Sequence, residues 1–175
     1  MGSQTLSSLP LSSVPALRFA PSAIPLWAGD TTASTAISVT SPRLRGVKAT
    51  QLRRAARAAL RHATTPIQGE VSITLIDDRR MRDLNARYRG KDVTTDVLSF
   101  PLSDGQHPEE PFGDIVISYE TAQRQARSYG APLRREIERL LVHGVLHLCG
   151  YDHHEPRQAA RMHALTRKVL REVSG

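Results

Sequence analysis

Cysteine, lysine and long apolar runs are scarce in this sequence of 175 residues. The one cysteine, Cys149, excludes an internal disulfide and fits a reducing compartment. No apolar run approaches the ~20 residues that a helix needs to cross a bilayer, so we expect no membrane partner and a cytoplasmic location. Lysine occurs only at Lys48, Lys91 and Lys168, so the net charge of +7 is carried almost entirely by arginine.

The arginine excess predicts a polyanionic partner, most simply RNA or DNA. Guanidinium groups bind phosphate through a rigid fork and stack on bases. GC-rich coding would explain the ratio of arginine to lysine, but it would not explain the excess of positive over negative charge.

Acidic residues are absent from the first 29 residues, a segment rich in serine and interrupted by proline. Proline at that density disfavours both helix and strand. We therefore predict a disordered extension over residues 1–33 and one folded domain over residues 34–175. The single basic residue before Asp30, Arg18, is too little for an organelle transit peptide, and no continuous apolar region suggests a secretory signal.

Hydrophobic periodicity in the remaining chain predicts an α+β fold, a single domain with about four strands in a mixed sheet and about five helices. Strands are predicted at Ala36–Thr40, Glu70–Ile76, Val97–Phe100 and Gly113–Ser118. Helices are predicted from an N-cap at Thr50 to about Ala63, from Asp77 or Asp78 to about Tyr88, over Glu120–Tyr129, over Leu133–Cys149 and from Pro156 onwards.

Three histidines stand at i, i+4 and i+10 near the C-terminus, namely His143, His147 and His153. Residues four apart lie on one face of a helix, so the first two imidazoles can point at one position. Gly150 can end the helix in the left-handed conformation and bring His153 round as a third ligand. Three nitrogens with a fourth position open to water are typical of catalytic zinc. We therefore predict one Zn²⁺ on a zincin-like helix, although copper, nickel and iron also accept imidazole.

Two neighbours of these histidines limit the chemistry. A large class of zinc peptidases has the same histidine spacing with a glutamate after the first histidine as general base. Here Gly144 occupies that position and cannot accept a proton. The site is therefore predicted to be hydrolytic but not peptidolytic. Cys149 has apolar neighbours, which favour a packed thiol over a fourth ligand.

A basic loop follows the second predicted helix and supplies candidates for substrate contact. Arg89, placed on this loop, can donate hydrogen bonds to two phosphate oxygens at once, and Lys91 can add a positive charge beside it. We interpret Arg89 as catalytic and both residues as substrate-binding. Asp152, next to His153, is a candidate for orienting a ligand imidazole.

Three stretches together resemble the YbeY family, namely H-G-V-L-H-L-C-G-Y-D-H (143–153), N-A-R-Y-R-G-K-D-V-T-T-D-V-L-S-F-P (85–101) and G-D-I-V-I-S (113–118). The resemblance covers about Ala36 to Val173. It implies a zinc-dependent endoribonuclease that prefers single strands and acts in rRNA maturation, especially at the 3′ end of the small-subunit RNA, and in ribosome quality control. It also implies that the family's zinc ligands fall on the three histidines and its important arginine on Arg89.

Three functions remain open at this point. The leading hypothesis is a metal-dependent endoribonuclease whose partners are single-stranded rRNA and the ribosome or its small subunit. The second is a non-catalytic ribosome-assembly factor in which zinc only holds the fold. The third, a zinc peptidase, is disfavoured by Gly144.

Overall fold

Four strands and five helices follow one another in the described part of the chain. The structure is a computed structural model that describes residues 35–41, 46–62, 67–152 and 155–174. The elements are β1 (Ala36–Thr40), α1 (Ala49–Leu60), β2 (Glu70–Ile76), α2 (Asp78–Arg89), β3 (Val97–Pro101), β4 (Pro111–Ser118), α3 (Tyr119–Ser128), α4 (Leu133–Leu148) and α5 (Pro156–Glu172).

The strands form one mixed sheet in the order β1-β2-β4-β3. β1 pairs with β2 and β2 with β4 in parallel, whereas β3 runs antiparallel to β4. This confirms the predicted α+β fold with a four-stranded mixed sheet and five helices. The predicted disordered extension over residues 1–33 lies outside the described residues.

The sheet separates two apolar layers of different size. On one face, Ile73, Ile115 and Ile117 belong to a large buried cluster that includes residues of α1, α3, α4 and α5. On the other face, Val116 and Met81 belong to a small cluster beneath α2. Successive residues of β4 point to opposite faces, and both faces are covered, which explains why β4 is apolar almost throughout.

The boundaries differ from the prediction where packing or capping decides them. α1 starts at Ala49 after Lys48, not after an N-cap at Thr50, and Gln51 accepts from the Lys48 backbone N–H at 3.2 Å. β4 starts at Pro111, before the predicted Gly113, because Pro111 lies opposite Glu70 of β2.

None of the described helices is long and apolar enough to span a membrane.

Candidate metal and RNA site

α4 carries the two histidines of the predicted metal helix and lies against β3 and β4. It begins after Pro132, and Ile137, Leu141 and Leu148 bury its inner face. Gly150 ends it in the left-handed conformation at φ +83°. The Gly150 N–H donates to the His147 carbonyl at 3.0 Å, and the next N–H donates to the carbonyl of residue 146 at 3.0 Å. This is the Schellman pattern, as predicted from the glycine.

His143 and His147 meet side by side on α4. Their Nε2 atoms are 3.2 Å apart, and the ring centroids are 4.7 Å apart at an interplanar angle of 86°. Two nitrogens that bind one tetrahedral zinc ion at 2.0–2.1 Å are about 3.3 Å apart. The pair therefore has the separation that two ligands of one ion need.

The surroundings of the pair also suit a cation. Both rings are half-buried in the last two turns of α4, where the helix dipole presents its negative end. Without an ion, 3.2 Å is also a hydrogen-bond distance between a donor nitrogen on one ring and an acceptor nitrogen on the other. The hydrogen-bonded pair keeps a proton between the two nitrogens, whereas a pair that binds a metal ion does not. A measurement of metal binding distinguishes the two arrangements.

The third predicted ligand, His153, lies outside the described residues. The structure therefore brings together two of the three predicted ligands. Asp152, the candidate for orienting an imidazole, is half-buried two residues after Gly150. The placement of His153 as a third ligand stays a prediction.

Gly144 lies where α4 packs closely against the sheet. A Cβ there would lie 3.0 Å from both Ile115 Cγ2 and Ser99 Oγ and 3.4 Å from Val97 Cγ2. The Ser99 hydroxyl donates to the Gly144 carbonyl at 3.2 Å. The position after the first histidine thus faces the sheet, and a side chain there would have to shift neighbours that already lie 3.0 Å from its Cβ. The peptidase function is disfavoured by this packing as well as by the missing carboxylate.

Cys149 caps α4 and packs against the main apolar cluster. Burial raises the pKa of its thiol from 9.0 to about 11. A thiol with so high a pKa is a poor source of thiolate at neutral pH. This agrees with the interpretation of Cys149 as a packed residue.

Arg89 and Lys91 flank the end of α2, on the opposite face of the sheet from α4. Arg89 is the last residue of the helix and not a loop residue as predicted, because Gly90 supplies the left-handed C-cap at φ +67°. Both side chains are exposed. Among the described residues, neither forms an ion pair. Both are therefore available to an anionic ligand.

Hydrogen bonds from α2 hold the segment that follows Lys91. The buried Asn85 amide donates to the Val93 carbonyl at 2.8 Å. The Arg82 guanidinium makes two hydrogen bonds to Asp92, at 2.7 and 2.6 Å. The backbone between Arg89 and β3 is thus fixed to the helix that carries the arginine.

Asp78, at the start of α2, is the centre of a polar network that the sequence did not reveal. Its Oδ1 accepts from Ser118 at 2.5 Å, Thr121 at 2.7 Å and Thr94 at 3.4 Å, and its Oδ2 pairs with Arg124 at 2.6 Å. Partial burial alone would raise the pKa of Asp78. The hydrogen bonds from Ser118, Arg124 and Thr121, with the charge of Arg124, outweigh it and lower the pKa from 3.8 to about 2. The only sequence signal was an aspartate at a helix start.

Asp96 acts as a structural residue at the start of β3. Its Oδ1 accepts from the Val97 N–H at 2.8 Å, and its Oδ2 accepts from the Gln125 amide at 3.1 Å. Its backbone carbonyl accepts from the Ser118 N–H at 2.8 Å. Asp96 therefore joins β3 to the junction of β4 and α3.

Comparison with known proteins gives a consistent result. Residues 38–174 match the family described as endoribonuclease YbeY. The chain is 52% identical over 106 residues to endoribonuclease YbeY of Myxococcus xanthus (strain DK1622), across 59% of this chain and 36% of that protein. It is 46% identical over 132 residues to endoribonuclease YbeY of Heliobacterium modesticaldum (strain ATCC 51547 / Ice1), across 69% of this chain and 80% of that protein. The aligned part thus spans little more than a third of the Myxococcus protein.

A solved structure shares the fold. The solution structure of TM1509 from Thermotoga maritima superimposes with a TM-score of 0.55 at 26% identity, across 78% of this chain and 88% of that chain.

Proposed function

The chain belongs to the endoribonuclease YbeY family, and on that premise we propose that it is a zinc-dependent endoribonuclease. One Zn²⁺ would be held by His143, His147 and His153. The observation that carries the proposal is the 3.2 Å separation of the two Nε2 atoms on α4, close to the spacing of two ligands on one tetrahedral ion. When bound, such an ion supplies a Lewis acid for a phosphoryl oxygen and lowers the pKa of a coordinated water towards ~7.

The residues of this chain then bind and orient the phosphodiester. A guanidinium donates hydrogen bonds to two oxygens of a phosphate at once, and it stabilises the negative charge that builds up in a phosphorane-like transition state. Arg89 is assigned this role because it is exposed and its backbone is held by α2 and the Gly90 cap. Since α2 and α4 lie on opposite faces of the sheet, the RNA strand would cross the sheet edge at β3 to meet both. Lys91 adds a second positive charge two residues away. Asp152 is the candidate for orienting a ligand imidazole.

We propose single-stranded rRNA as the substrate, with the 3′ end of the small-subunit rRNA as the site of action and the ribosome or its small subunit as partner. The net charge of +7 supports a polyanionic substrate. The resemblance in the three motifs supports the role in rRNA maturation and in ribosome quality control.

The test combines metal content with RNA cleavage. Mass spectrometry should find one zinc per wild-type chain and almost none in His143→Ala or His147→Ala. Cleavage of a defined single-stranded rRNA fragment should be lost with the metal and should exceed cleavage of the same sequence as a duplex. His163→Ala, an exposed histidine on α5, is the matched control and should keep both properties. Wild-type protein that carries zinc but leaves the single strand intact would contradict the nuclease proposal.

A non-catalytic assembly factor is the second candidate, and the position of α4 favours it. α4 lies in the centre of the main apolar cluster, so a metal at its end could serve the fold alone. In that case removal of the metal should unfold the chain. Arg89→Ala should then weaken RNA binding in a protein that shows no cleavage.

A further inference from the structure

Tyr129 exposes a large aromatic ring at the turn between α3 and α4. It is 65% exposed and, with Val93 at 60%, is one of two exposed large hydrophobic residues in the described part of the chain. Its backbone N–H donates to the Gln125 carbonyl at 3.0 Å, so the turn that carries the ring is anchored to α3. A held backbone that presents a free ring face is a ready platform for stacking.

The ring lines an open groove between the α3–α4 turn and the end of α5. The groove has a volume of about 350 Å³ and includes Leu170 on its apolar floor. Three arginines line it, Arg135, Arg139 and Arg171. An aromatic ring and several guanidinium groups thus share one concave surface, which we call the Tyr129 groove.

The charge of the Tyr129 groove is positive in spite of one acidic residue in its lining. Glu136 is buried and is neutralised by Arg139, with nitrogen–oxygen distances of 2.6 to 3.2 Å. Arg135 approaches Glu138 only at 3.4 Å, and Glu138 is also paired with Arg134 at 2.8 Å. Arg171 forms no ion pair within the residues described. Arg135 and Arg171 therefore leave a surplus of positive charge beside the ring.

The Tyr129 groove reaches the side of α4 that carries the metal histidines. Arg139 precedes His143 by four residues and His147 by eight, so the three lie on one side of the helix. At 1.5 Å per residue, Arg139 is about 6 Å from His143 along the helix axis. That distance is comparable to one nucleotide step of an extended strand.

We propose that the Tyr129 groove binds one nucleotide of single-stranded RNA next to the nucleotides held at the histidine pair. The base stacks on the Tyr129 ring, and Arg135 and Arg171 contact the adjoining phosphates. This inference rests on the proposed endoribonuclease function and adds a substrate contact that lies outside the metal site. An unpaired strand is required, because the bases of a duplex are already stacked on each other.

The test is binding of a fluorescent single strand of 12 nucleotides with 2′-O-methyl riboses, measured by anisotropy on the full chain. Tyr129→Ala should weaken binding about 5-fold to 150-fold, the range for loss of one base–aromatic stack. Tyr129→Phe should bind like the wild type, because the ring is kept. Arg171→Ala should weaken binding and reduce its salt dependence. Arg157→Ala, an exposed arginine at the other end of the same helix, should leave binding almost unchanged.

A second readout reports stacking itself. Tyr129→Trp should show indole fluorescence quenching when the strand binds, relative to wild-type protein with its single Trp27. Strands with abasic positions along their length should abolish the quenching. Equal affinity of Tyr129→Ala and wild type, or quenching that persists with abasic strands, would overturn the proposal and leave the groove to a protein partner.

Cleavage kinetics separate this inference from the proposed function. Tyr129→Ala should raise KM while kcat stays within about twofold of wild type, since the ring is outside the metal site. If wild-type protein fails to cleave, the nuclease proposal falls, whereas the binding comparison still decides whether the groove holds RNA.

Discussion

The two faces of the sheet hold the candidate functional residues by different physical means. On the α4 face, the histidine pair stands on a helix fixed by apolar packing and by the close approach of Gly144 to Ile115 and Ser99. On the α2 face, the apolar cluster is small, and the helix that carries Arg89 is tied down by the Asp78 network. The histidine side should therefore respond to changes in volume, and the arginine side to changes in charge and pH.

The largest effect should follow from a cavity on the α4 face. Leu141 is fully buried in α4, and Leu141→Ala should lower the free energy of unfolding by about 2–5 kcal/mol. Leu84→Ala on α2 is the matched change, and it should cost less because Leu84 is only partly buried. Urea unfolding followed by circular dichroism measures both. Equal losses would remove the proposed difference between the faces.

Added volume on the α4 face should have the next largest effect. Gly144→Val must displace Ile115 and Ser99, whose atoms already lie 3.0 Å from the position of a Cβ. Overpacking of this kind costs about 1–3 kcal/mol. Zinc content should fall as well, because His143 is the preceding residue. Ala160→Val, an exposed change on α5, is the control, and an equally small effect of both changes would contradict the close packing.

Charge should matter on the α2 face. The pKa of Asp78 is lowered from 3.8 to about 2, so its contribution to stability is complete above about pH 4 and is lost as the pH falls towards 2. The shift corresponds to about 2 kcal/mol. Asp78→Asn should lower the free energy of unfolding by that amount at pH 7. Between pH 4 and pH 2, the free energy of unfolding of this variant should fall less than that of the wild type. Asp83→Asn, an exposed change on α2, should keep the wild-type profile.

The smallest effect should come from the C-cap beside Arg89. Gly90 has φ +67° and nothing within 4 Å of the place that a Cβ would take, so Gly90→Ala meets strain in the backbone alone. That strain costs about 1 kcal/mol. The KM for RNA cleavage should rise as well, since the change alters the backbone next to Arg89. An unchanged KM with lower stability would separate the cap from substrate binding.

Local patterns predicted the parts of the fold that depend on local physics. The alternation of apolar and polar residues predicted β2 at Glu70–Ile76, and Asp77 and Asp78 predicted the start of α2. The histidine pair followed from the helical repeat, because residues four apart must meet on a helix. These features need no knowledge of the rest of the chain.

Other features depend on distant partners and could not be predicted. Asp78 meets Ser118 and Thr121, which are 40 and 43 residues away. Arg89 was placed in a loop because the helix was ended one residue early, although Gly90 offered the same local signal as Gly150. Gly144 was recognised only as a missing base, since its contact with the sheet is set by tertiary packing. The Tyr129 groove likewise exists only where α3, α4 and α5 come together.

The contact between Gly144 and the sheet has a consequence for redesign. A glutamate introduced here would require Ile115 and Ser99 to shift, because their atoms already lie 3.0 Å from the position of its Cβ. A protease built on this scaffold would therefore need repacking between the helix and β3 as well as a new carboxylate. The packed glycine thus distinguishes this architecture from proteolytic enzymes with the same histidine spacing.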